Sequence, residues 1–404
     1  MSSSFFLGAG AGYIPDAMWE CAKKVPRMRV ATGTGTDPAN FVSVESSCAS
    51  RSLRIAQVAP LYEPVPPRLY GGTERVVSYL TEELVAQGHD VTLFASGDSV
   101  TSARLVPASP RALRLDRSCM DPLAHHVLLL EKVLQRAGEF DVVHFHVDYL
   151  HFPLSRRAGI PHVTTLHGRL DLPDLAAVYR EFRDVPVVSI SDSQQSFLEA
   201  AWVRTVHHGL PPRLVREGAG DGGYLAFLGR ISPEKRVDRA IEIARRAGKR
   251  LRIAAKVDRA DIEYFERQIR PLLTLPHVEF IGEITEDEKS DFLGGATALL
   301  FPIDWPEPFG LVLIESLAAG TPIVAYDEGS VREILEDGVT GFLVQGVTEA
   351  VAAVGRLSSI DRAACRRAFE ERFTVGRMAT DYVAIYEDLI SRSHDLVLAG
   401  GSAA

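Results

Sequence analysis

The sequence contains little cysteine, and none of it is arranged to hold a metal. Four cysteines occur among 404 residues, at Cys21, Cys48, Cys119 and Cys365. They lie far apart, without a CxxC pair and without a histidine at zinc-binding spacing. The pattern argues against a structural zinc site and predicts free thiols in a reducing compartment.

Long apolar runs and an excess of positive charge are also missing. No segment approaches the roughly 18–20 apolar residues that cross a bilayer, and residues 1–12 lack the basic start of a secretory signal. The formal net charge is −9, whereas a nucleic-acid-binding protein needs a dominant basic field. We therefore expect a cytoplasmic protein without a transmembrane segment or a nucleic-acid partner. The sequence leaves a peripheral contact with the inner face of a membrane open.

The first 51 residues differ in composition from the rest of the chain. They are rich in Gly, Ser, Ala and Thr and show neither a helical nor a strand period, so they are predicted to be a disordered extension. The glycine runs at 8–12 and 33–36 do not lie between a strand and an amphipathic helix, so they are not predicted to bind a dinucleotide. A disordered tail is also predicted at 394–404.

An alternation of strands and helices begins at Leu53. A buried strand over 53–59 is followed by Gly71-Gly72, and Thr73 is predicted to cap a helix that ends at Gly88. Further strands are predicted at 91–95, 142–145, 162–166 and 186–190. The rhythm predicts a parallel sheet in a domain over 52–210.

A linker is predicted at 211–223, where two prolines precede a glycine-rich stretch. The alternation then resumes, with strands predicted at 224–228, 251–255, 278–281, 298–301 and 323–326 in a second domain over 224–374. A final helix is predicted over about 375–393. The fold class is α/β, with two Rossmann-like doubly wound domains facing across a cleft, and ligands are expected at the carboxyl ends of the strands.

The strongest single signal is the helix predicted over 311–319. It is apolar on nearly every side, which is typical of a buried helix, and Glu315 is its only charged residue. Since a buried carboxylate needs hydrogen-bonding partners, two interpretations stand side by side. Glu315 is either satisfied by a neighbouring Arg or backbone amide, or it accepts the vicinal hydroxyls of a ribose.

The turn Pro-Glu-Pro-Phe-Gly precedes this helix and contains Glu307. The first amides of a helix have no partner within the helix, so the amides of Phe309, Gly310 and Leu311 predict a nest for anions and hydroxyls.

A second motif, Gly-Arg-Ile-Ser-Pro-Glu-Lys, follows the first strand of the second domain. Ser232 as the N-cap and Pro233 at the first position predict a helix, so that Arg230 and Lys235 flank its N-terminus. Two cations and a helix dipole suit a diphosphate. The alternative is a pair of ordinary solvated charges.

Together these motifs resemble the family 4 (group 1) retaining glycosyltransferases, whose two-domain arrangement is called GT-B. The resemblance runs from Leu53 to about Ser393. It rests on Glu307 and Glu315 with seven residues between them, on Gly-Arg-Ile-Ser-Pro-Glu-Lys, and on Gly-Gly-Thr-Glu-Arg after the first strand. It implies transfer of a hexosyl unit from a nucleoside-diphosphate sugar to a saccharide or glycoconjugate hydroxyl, with retention of configuration. It also implies that the last helix crosses back onto the first domain.

The resemblance assigns roles to individual residues. Glu307, with the amides of Phe309, Gly310 and Leu311, would hold the donor sugar, and Glu315 would bind the ribose. Arg230 and Lys235 would bind the diphosphate, and the loop at Gly71 and Gly72 would approach it from the other domain.

Histidines near strand ends are the remaining candidates. His146 is predicted at the carboxyl end of a strand, and it matches a family histidine that contacts the reacting sugar. We therefore expect His146 and Glu307 to be the catalytic residues. His167 is a weaker candidate, His144 lies inside the strand, and His207 and His208 are expected to be structural.

No metal or other cofactor is predicted, because the chain contains no Asp-x-Asp triplet to chelate a diphosphate-bound cation. Other activities on the same architecture stay open: an inverting GT-B transferase, a sugar-nucleotide epimerase, or a non-catalytic nucleotide-sugar-binding protein. A nicotinamide-dependent dehydrogenase would need Gly-x-Gly-x-x-Gly after a strand, and that fingerprint is absent.

Overall fold

The computed structural model describes residues 51–68, 71–114 and 116–401, with side chains up to residue 393. The disorder predicted for residues 1–51 therefore falls almost wholly outside the described residues, as do residues 402–404 of the predicted tail.

The first sheet is parallel and is covered on both faces. Its strands lie in the order β3-β2-β1-β4-β5-β6-β7. Along β1, Ile55 packs with Leu80 on one face, whereas Val58 packs with Leu129 on the other, because successive side chains of a strand point to opposite faces. The strands are β1 Arg54–Val58, β2 Asp90–Ser96, β3 Arg104–Ser109, β4 Val142–Phe145, β5 His162–Thr165, β6 Pro186–Ser189 and β7 Ala201–Thr205.

The second sheet repeats this topology in the order β10-β9-β8-β11-β12-β13, again with parallel neighbours. The four consecutive residues from Tyr224 to Phe227 of its central strand are all buried, as expected of a sheet covered on both faces. Its strands are β8 Tyr224–Arg230, β9 Arg250–Lys256, β10 Val278–Gly282, β11 Ala298–Phe301, β12 Ile323–Tyr326 and β13 Gly341–Val344. The order is that of a Rossmann sheet, so the predicted fold class is confirmed.

Helices connect the strands and pack against the sheets. The α-helices are α1 Gly72–Ala86, α2 Pro122–Gln135, α3 Phe152–Ala158, α4 Leu175–Glu181, α5 Asp192–Gln195, α6 Val237–Arg246, α7 Ile262–Tyr264, α8 Glu286–Gly294, α9 Leu311–Ala318, α10 Val331–Ile334, α11 Val347–Gly355, α12 Arg362–Arg372 and α13 Val375–Gly401. Short 3-10 turns include Asp148–His151 and Pro233–Lys235.

The last helix, α13, packs on the first sheet although it follows the second sheet in sequence. Its Met378, Tyr382 and Tyr386 are buried together with Val142 and Val163 of that sheet. The helix continues through Gly401, so the tail predicted from residue 394 is helical there rather than irregular. Extending an existing helix costs little, and the leucines and alanine at 396–399 favour it.

The chain passes between the two halves twice, and the two passages lie side by side. Leu210 donates to the carbonyl of Phe373 at 2.9 Å and accepts from the amide of Val375 at 2.9 Å. A Cβ at Gly209 would lie 2.3 Å from the carbonyl oxygen of Thr374, so this close approach requires glycine.

The glycine-rich segment predicted as a linker is bound to the second half. The amides of Gly218, Gly220 and Gly222 donate to the carbonyls of Ala319, Gly294 and Gly295 at 2.9–3.1 Å. The guanidinium of Arg362 also bonds the carbonyls of Gly218, Gly294 and Ala296 at 2.9–3.0 Å. The segment therefore extends the second half.

Two predicted helix starts are wrong. Gly71 is the N-cap of α1, and Thr73 lies within its first turn. Pro233 opens a 3-10 turn, and Arg236, at φ 52°, separates this turn from α6. A non-glycine residue in the left-handed region breaks the helix predicted to start at Ser232.

Candidate functional site

The carboxyl ends of both sheets line one cavity of about 570 Å³. His146 follows β4 and His167 follows β5, whereas Arg230 ends β8 and Trp305 follows β11. In each sheet the strand order reverses once, between β1 and β4 in the first and between β8 and β11 in the second. Both of these positions face the same cavity. All the predicted site residues line it: Gly71, Gly72, His146, Arg230, Lys235, Glu307, Phe309, Gly310, Leu311 and Glu315.

Glu307 lies in the turn before α9 and is almost fully buried at 9% exposure. Its Oε2 atom pairs with the ammonium of Lys235 and accepts a hydrogen bond from Trp305 Nε1 at 3.0 Å. The Lys235 ammonium also lies 5.0 Å from the centre of the Trp305 ring. A carboxylate, a cation and an indole are therefore held together at the cavity wall.

Glu315 is buried one turn into α9, and an ammonium balances its charge. Lys289 of α8 donates to Glu315 Oε1 at 2.7 Å and lies 3.3 Å from Glu286. Glu286 in turn pairs with Arg75, which belongs to α1 of the first half. A chain of ion pairs thus connects Glu315, the predicted ribose ligand, with Arg75 on the opposite side of the cleft.

The loop at Gly71 and Gly72 meets the start of α9. A Cβ at Gly71 would lie 2.7 Å from Cβ of Pro67, so a side chain has no room there. A Cβ at Gly72 would come within 3.7 Å of a Leu311 methyl group. On the other side, Gly310 caps α9 at φ 84°, a conformation that favours glycine.

The cations predicted to bind a diphosphate are both paired with carboxylates. Arg230 pairs with Glu234 and lies 3.6 Å from Asp258 and 3.8 Å from Asp261, and Lys235 pairs with Glu307. Neither cation is therefore an isolated solvated charge. A diphosphate would have to take the place of these carboxylates as their partner.

Both ring nitrogens of His146 are bonded to other side chains. Nε2 lies 2.8 Å from Gln57 Oε1, and Nδ1 lies 2.8 Å from His167 Nε2. Gln57 Nε2 donates to Tyr386 of α13 at 3.1 Å, which turns its oxygen toward His146. The pattern assigns the proton of His146 to Nε2, so that His146 Nδ1 accepts from His167 Nε2.

Burial keeps this histidine cluster neutral. It places the pKa of His146 well below the usual histidine value and lowers the pKa of His167 to about 3. His144 lies two residues earlier, within β4, and its ring nitrogens bond the hydroxyls of Tyr386 and Thr165 at 2.7 Å each. The family resemblance predicts that His146 contacts a sugar directly. Neighbouring side chains bond both of its ring nitrogens, so a sugar hydroxyl would have to displace one of them.

Several cavity residues escaped the sequence analysis. Lys289 and Trp305 touch the two key carboxylates, and Glu74 and Asp148 line the first-half wall. Glu74 belongs to the Gly-Gly-Thr-Glu-Arg motif, which could have drawn attention to it. His208, expected to be structural, also lines the cavity, and its ring stacks on His167 at 5.3 Å.

Within 51–68, 71–114 and 116–401, no three His, Cys, Asp or Glu side chains are grouped so that they could hold a metal ion. The helices that the structure describes include no candidate membrane span.

Two parallel Rossmann-like sheets that share one cleft at their carboxyl ends define the GT-B class of folds. Residues 70–188 match the model of the family described as "Glycosyltransferase Family 4", and residues 216–368 match that of "Glycosyl transferases group 1". The chain is a glycosyltransferase of this group 1, family 4 type.

Similar proteins of stated activity differ in what they act on. A glycogen synthase of Mycobacterium tuberculosis is 28% identical over 386 residues, covering 82% of this chain and 91% of its own. A phosphatidyl-myo-inositol mannosyltransferase of Mycobacterium leprae is 27% identical over 333 residues, covering 74% and 86%. The solved structure of Anabaena HepE in complex with UDP-glucose has a TM-score of 0.63 at 17% identity, covering 83% of this chain and all of that one, which shows the fold alone.

Proposed function

We propose that the protein transfers a hexosyl unit from a nucleoside-diphosphate sugar to a hydroxyl of a saccharide or glycoconjugate, retaining the anomeric configuration and using no metal. One observation carries the proposal: Glu307 and Glu315, on one helix and the turn before it, line the cavity where the strand order of the second sheet reverses. The UDP-glucose complex of a protein with the same fold supports this donor class.

The donor would lie along the second half. Glu315 would accept the ribose hydroxyls, and Arg230 and Lys235 would exchange their carboxylate partners for the diphosphate. Glu307, released from Lys235, would accept hydroxyls of the sugar. The unpaired amides at the start of α9 add a partial positive charge that favours the phosphates.

This transfer reaction would depend more on stabilising the leaving diphosphate than on a strong general base. The bond from the anomeric carbon to the diphosphate oxygen breaks, and the acceptor oxygen bonds that carbon on the same face. The acceptor proton passes to the leaving phosphate oxygen. Cations placed where negative charge develops lower the barrier to this step. The neutral imidazole of His167, which lines the cavity and is held by His146, would orient a hydroxyl by hydrogen bonding.

A donor screen with product analysis tests the proposal. Purified protein is titrated with UDP-, GDP- and ADP-sugars, and the anomeric proton of the product is read by NMR. We expect one donor to bind and to yield a product with the donor's anomeric configuration. Inversion of the anomeric centre would indicate the inverting alternative, and an altered nucleotide sugar would indicate an epimerase. Binding without turnover would indicate a binding protein.

Replacing Glu315 with glutamine should weaken nucleotide-sugar binding. The neutral amide loses charged hydrogen bonds to the ribose, which costs about one to three kcal/mol, or roughly 5- to 150-fold in Kd. Calorimetry with the donor and with the free nucleotide measures the loss. Glu242→Gln, on the surface of α6, is the matched control. An unchanged Kd in a folded Glu315→Gln protein would remove the ribose role.

Turnover should survive EDTA. Arg230 and Lys235 line the cavity and supply positive charge for the leaving group, and the sequence has no Asp-x-Asp triplet. Initial rates measured with EDTA, with and without added Mg²⁺ or Mn²⁺, should agree within error. Abolished turnover that Mg²⁺ or Mn²⁺ restores would contradict this account of the leaving group.

A further inference from the structure

The first half contributes its own wall to the cavity, opposite α9. Tyr62 follows β1, Glu74 lies in the first turn of α1, His126 belongs to α2, and Asp148 follows β4. None of these residues belongs to the proposed donor site. An acceptor that approaches the donor sugar from this side would meet them.

The cations of this wall are already balanced. Arg114 pairs with Glu63 at 3.1 Å, Arg169 forms a two-pronged pair with Asp171 at 2.7–2.8 Å, and Arg75 pairs with Glu286. The wall's histidines are neutral, because burial lowers the pKa of His126 as it does for His146 and His167. A phosphate or carboxylate on an acceptor would therefore have to break an existing ion pair to find a counter-charge.

Two acidic side chains, Glu74 and Asp148, lie on the same wall. Glu74 is only 6% exposed, and burial raises its pKa. The carboxylate of Asp148 makes neither a hydrogen bond nor an ion pair with any residue that the structure describes, although its side chain is open to the cavity. The protein around it disfavours the charged form and raises its pKa to about 6.

The backbone at Asp148 is in a left-handed conformation. Its φ is 50°, in the left-handed region that residues other than glycine seldom adopt. Aspartate and asparagine adopt this region more readily than other non-glycine residues, and residues in it are often found at ligand sites. Beside this wall, Tyr62 keeps 43% of its surface exposed, and its ring centre lies 5.0 Å from that of His126. A half-exposed ring of this kind offers an apolar face with a polar tip.

We infer that the acceptor is an uncharged, polyhydroxylated saccharide whose hydroxyls hydrogen-bond to Asp148 and whose ring lies against Tyr62. The inference rests on the proposed function and names its second substrate. A carboxylate without a partner accepts hydroxyl hydrogen bonds that are stronger than neutral ones. A phosphorylated or carboxylated acceptor would instead meet the carboxylate of Asp148 as a like charge.

Matched acceptors test this class. The full-length protein, with the donor found in the screen, is offered glucose, mannose, galactose, maltotriose and mannotriose. Glucose 6-phosphate, mannose 6-phosphate and glucuronate are the charged counterparts. Release of nucleoside diphosphate above the rate with water is measured, and products are identified by mass spectrometry. We expect kcat/KM for the best neutral acceptor to exceed that of every charged one at least tenfold. A charged sugar that is as good or better, or no turnover with any neutral sugar, overturns the inference.

A variant of Asp148 tests whether this residue binds the acceptor. Asp148→Asn keeps the left-handed backbone, which asparagine tolerates well, and removes only the charge. We expect KM for the neutral acceptor to rise at least tenfold, with donor Kd within twofold of wild type. Asp184→Asn, which breaks a surface pair with Arg156, should change neither value.

The two proposals fail in different ways. If no nucleotide sugar binds or turns over, the proposed function fails. If a donor binds and turns over but Asp148→Asn leaves the acceptor KM unchanged in a folded protein, only the acceptor inference fails.

Discussion

Replacing Lys235 with methionine is expected to lower kcat/KM about 100- to 1,000-fold, the range for removing one group that stabilises developing negative charge. The methionine keeps most of the apolar stem, so the change isolates the ammonium. That ammonium pairs with Glu307 in the present state and would face the diphosphate when a donor is bound. Steady-state kinetics at saturating acceptor measures the loss, and Lys249→Met, at an exposed position on the same half, should be silent.

Stability must be separated from catalysis in this variant. Glu307 is almost buried, and removing one partner of a buried pair leaves an uncompensated charge that destabilises the fold. Lys235→Met should therefore also lower Tm. The double variant Lys235→Met with Glu307→Gln removes both charges and should recover Tm without recovering activity. If activity returned along with Tm, Lys235 would have a structural role only.

Replacing His146 with alanine is expected to lower kcat about 100-fold, at the low end for positioned polar groups near a reacting centre. His146 would act through His167, which lines the cavity. The Nδ1 atom of His146 accepts a hydrogen bond from His167 Nε2, and the two nitrogens are 2.8 Å apart. His146 belongs to the first half, whereas Glu315 and Arg230 belong to the second. Affinity for the free nucleoside diphosphate should therefore barely change. A group that acts only in the transition state lowers kcat and kcat/KM together.

A conservative variant distinguishes this role from packing. The Oδ1 atom of asparagine occupies nearly the place of a histidine Nδ1, so His146→Asn can still accept from His167 and should recover part of kcat. His125→Ala, on α2, serves as the control. If His146→Ala lost activity only in proportion to its unfolded fraction in a thermal melt, the histidine would be structural. Near-normal kcat in the folded variant would make His167 the next candidate.

The site residues that could be predicted from the sequence are those that lie close to one another along the chain. Glu307 and Glu315 lie on one helix and the turn before it, and their spacing together with the surrounding motifs predicts that both face the cavity. The unpredicted part comes from pairs distant in sequence. Lys289 reaches Glu315 from another helix, and Gln57 meets Tyr386 across 329 positions. No short-range pattern can encode such a contact, because it exists only after both sheets and α13 are assembled.

The missed strands have a similar cause. β3 contains Pro107, and most of its residues are at least partly exposed. β7 is nowhere fully buried, and β13 begins at Gly341. β3 and β7 lack the continuous apolar run that identifies a central parallel strand, since edge strands are covered less completely. β13 is mostly buried, but its apolar run after Gly341 is only three residues long. Gly341 itself is explained only by the assembled sheet, where a Cβ would lie 2.0 Å from the carbonyl oxygen of Ile323.

The paired passages at Leu210 and Thr374 determine how the two halves can move. Because the glycine-rich segment is bound to the second half, the hydrogen-bonded crossing of Leu210 with Phe373 and Val375 is left as the covalent pivot between the halves. Two crossings tied together act as a single hinge, so the halves would swing about one line rather than slide past each other. Such a swing would break the Arg75–Glu286 pair if the cleft opened. Any side chain at position 209 would force the hinge strands apart and change the angle at which the cleft closes.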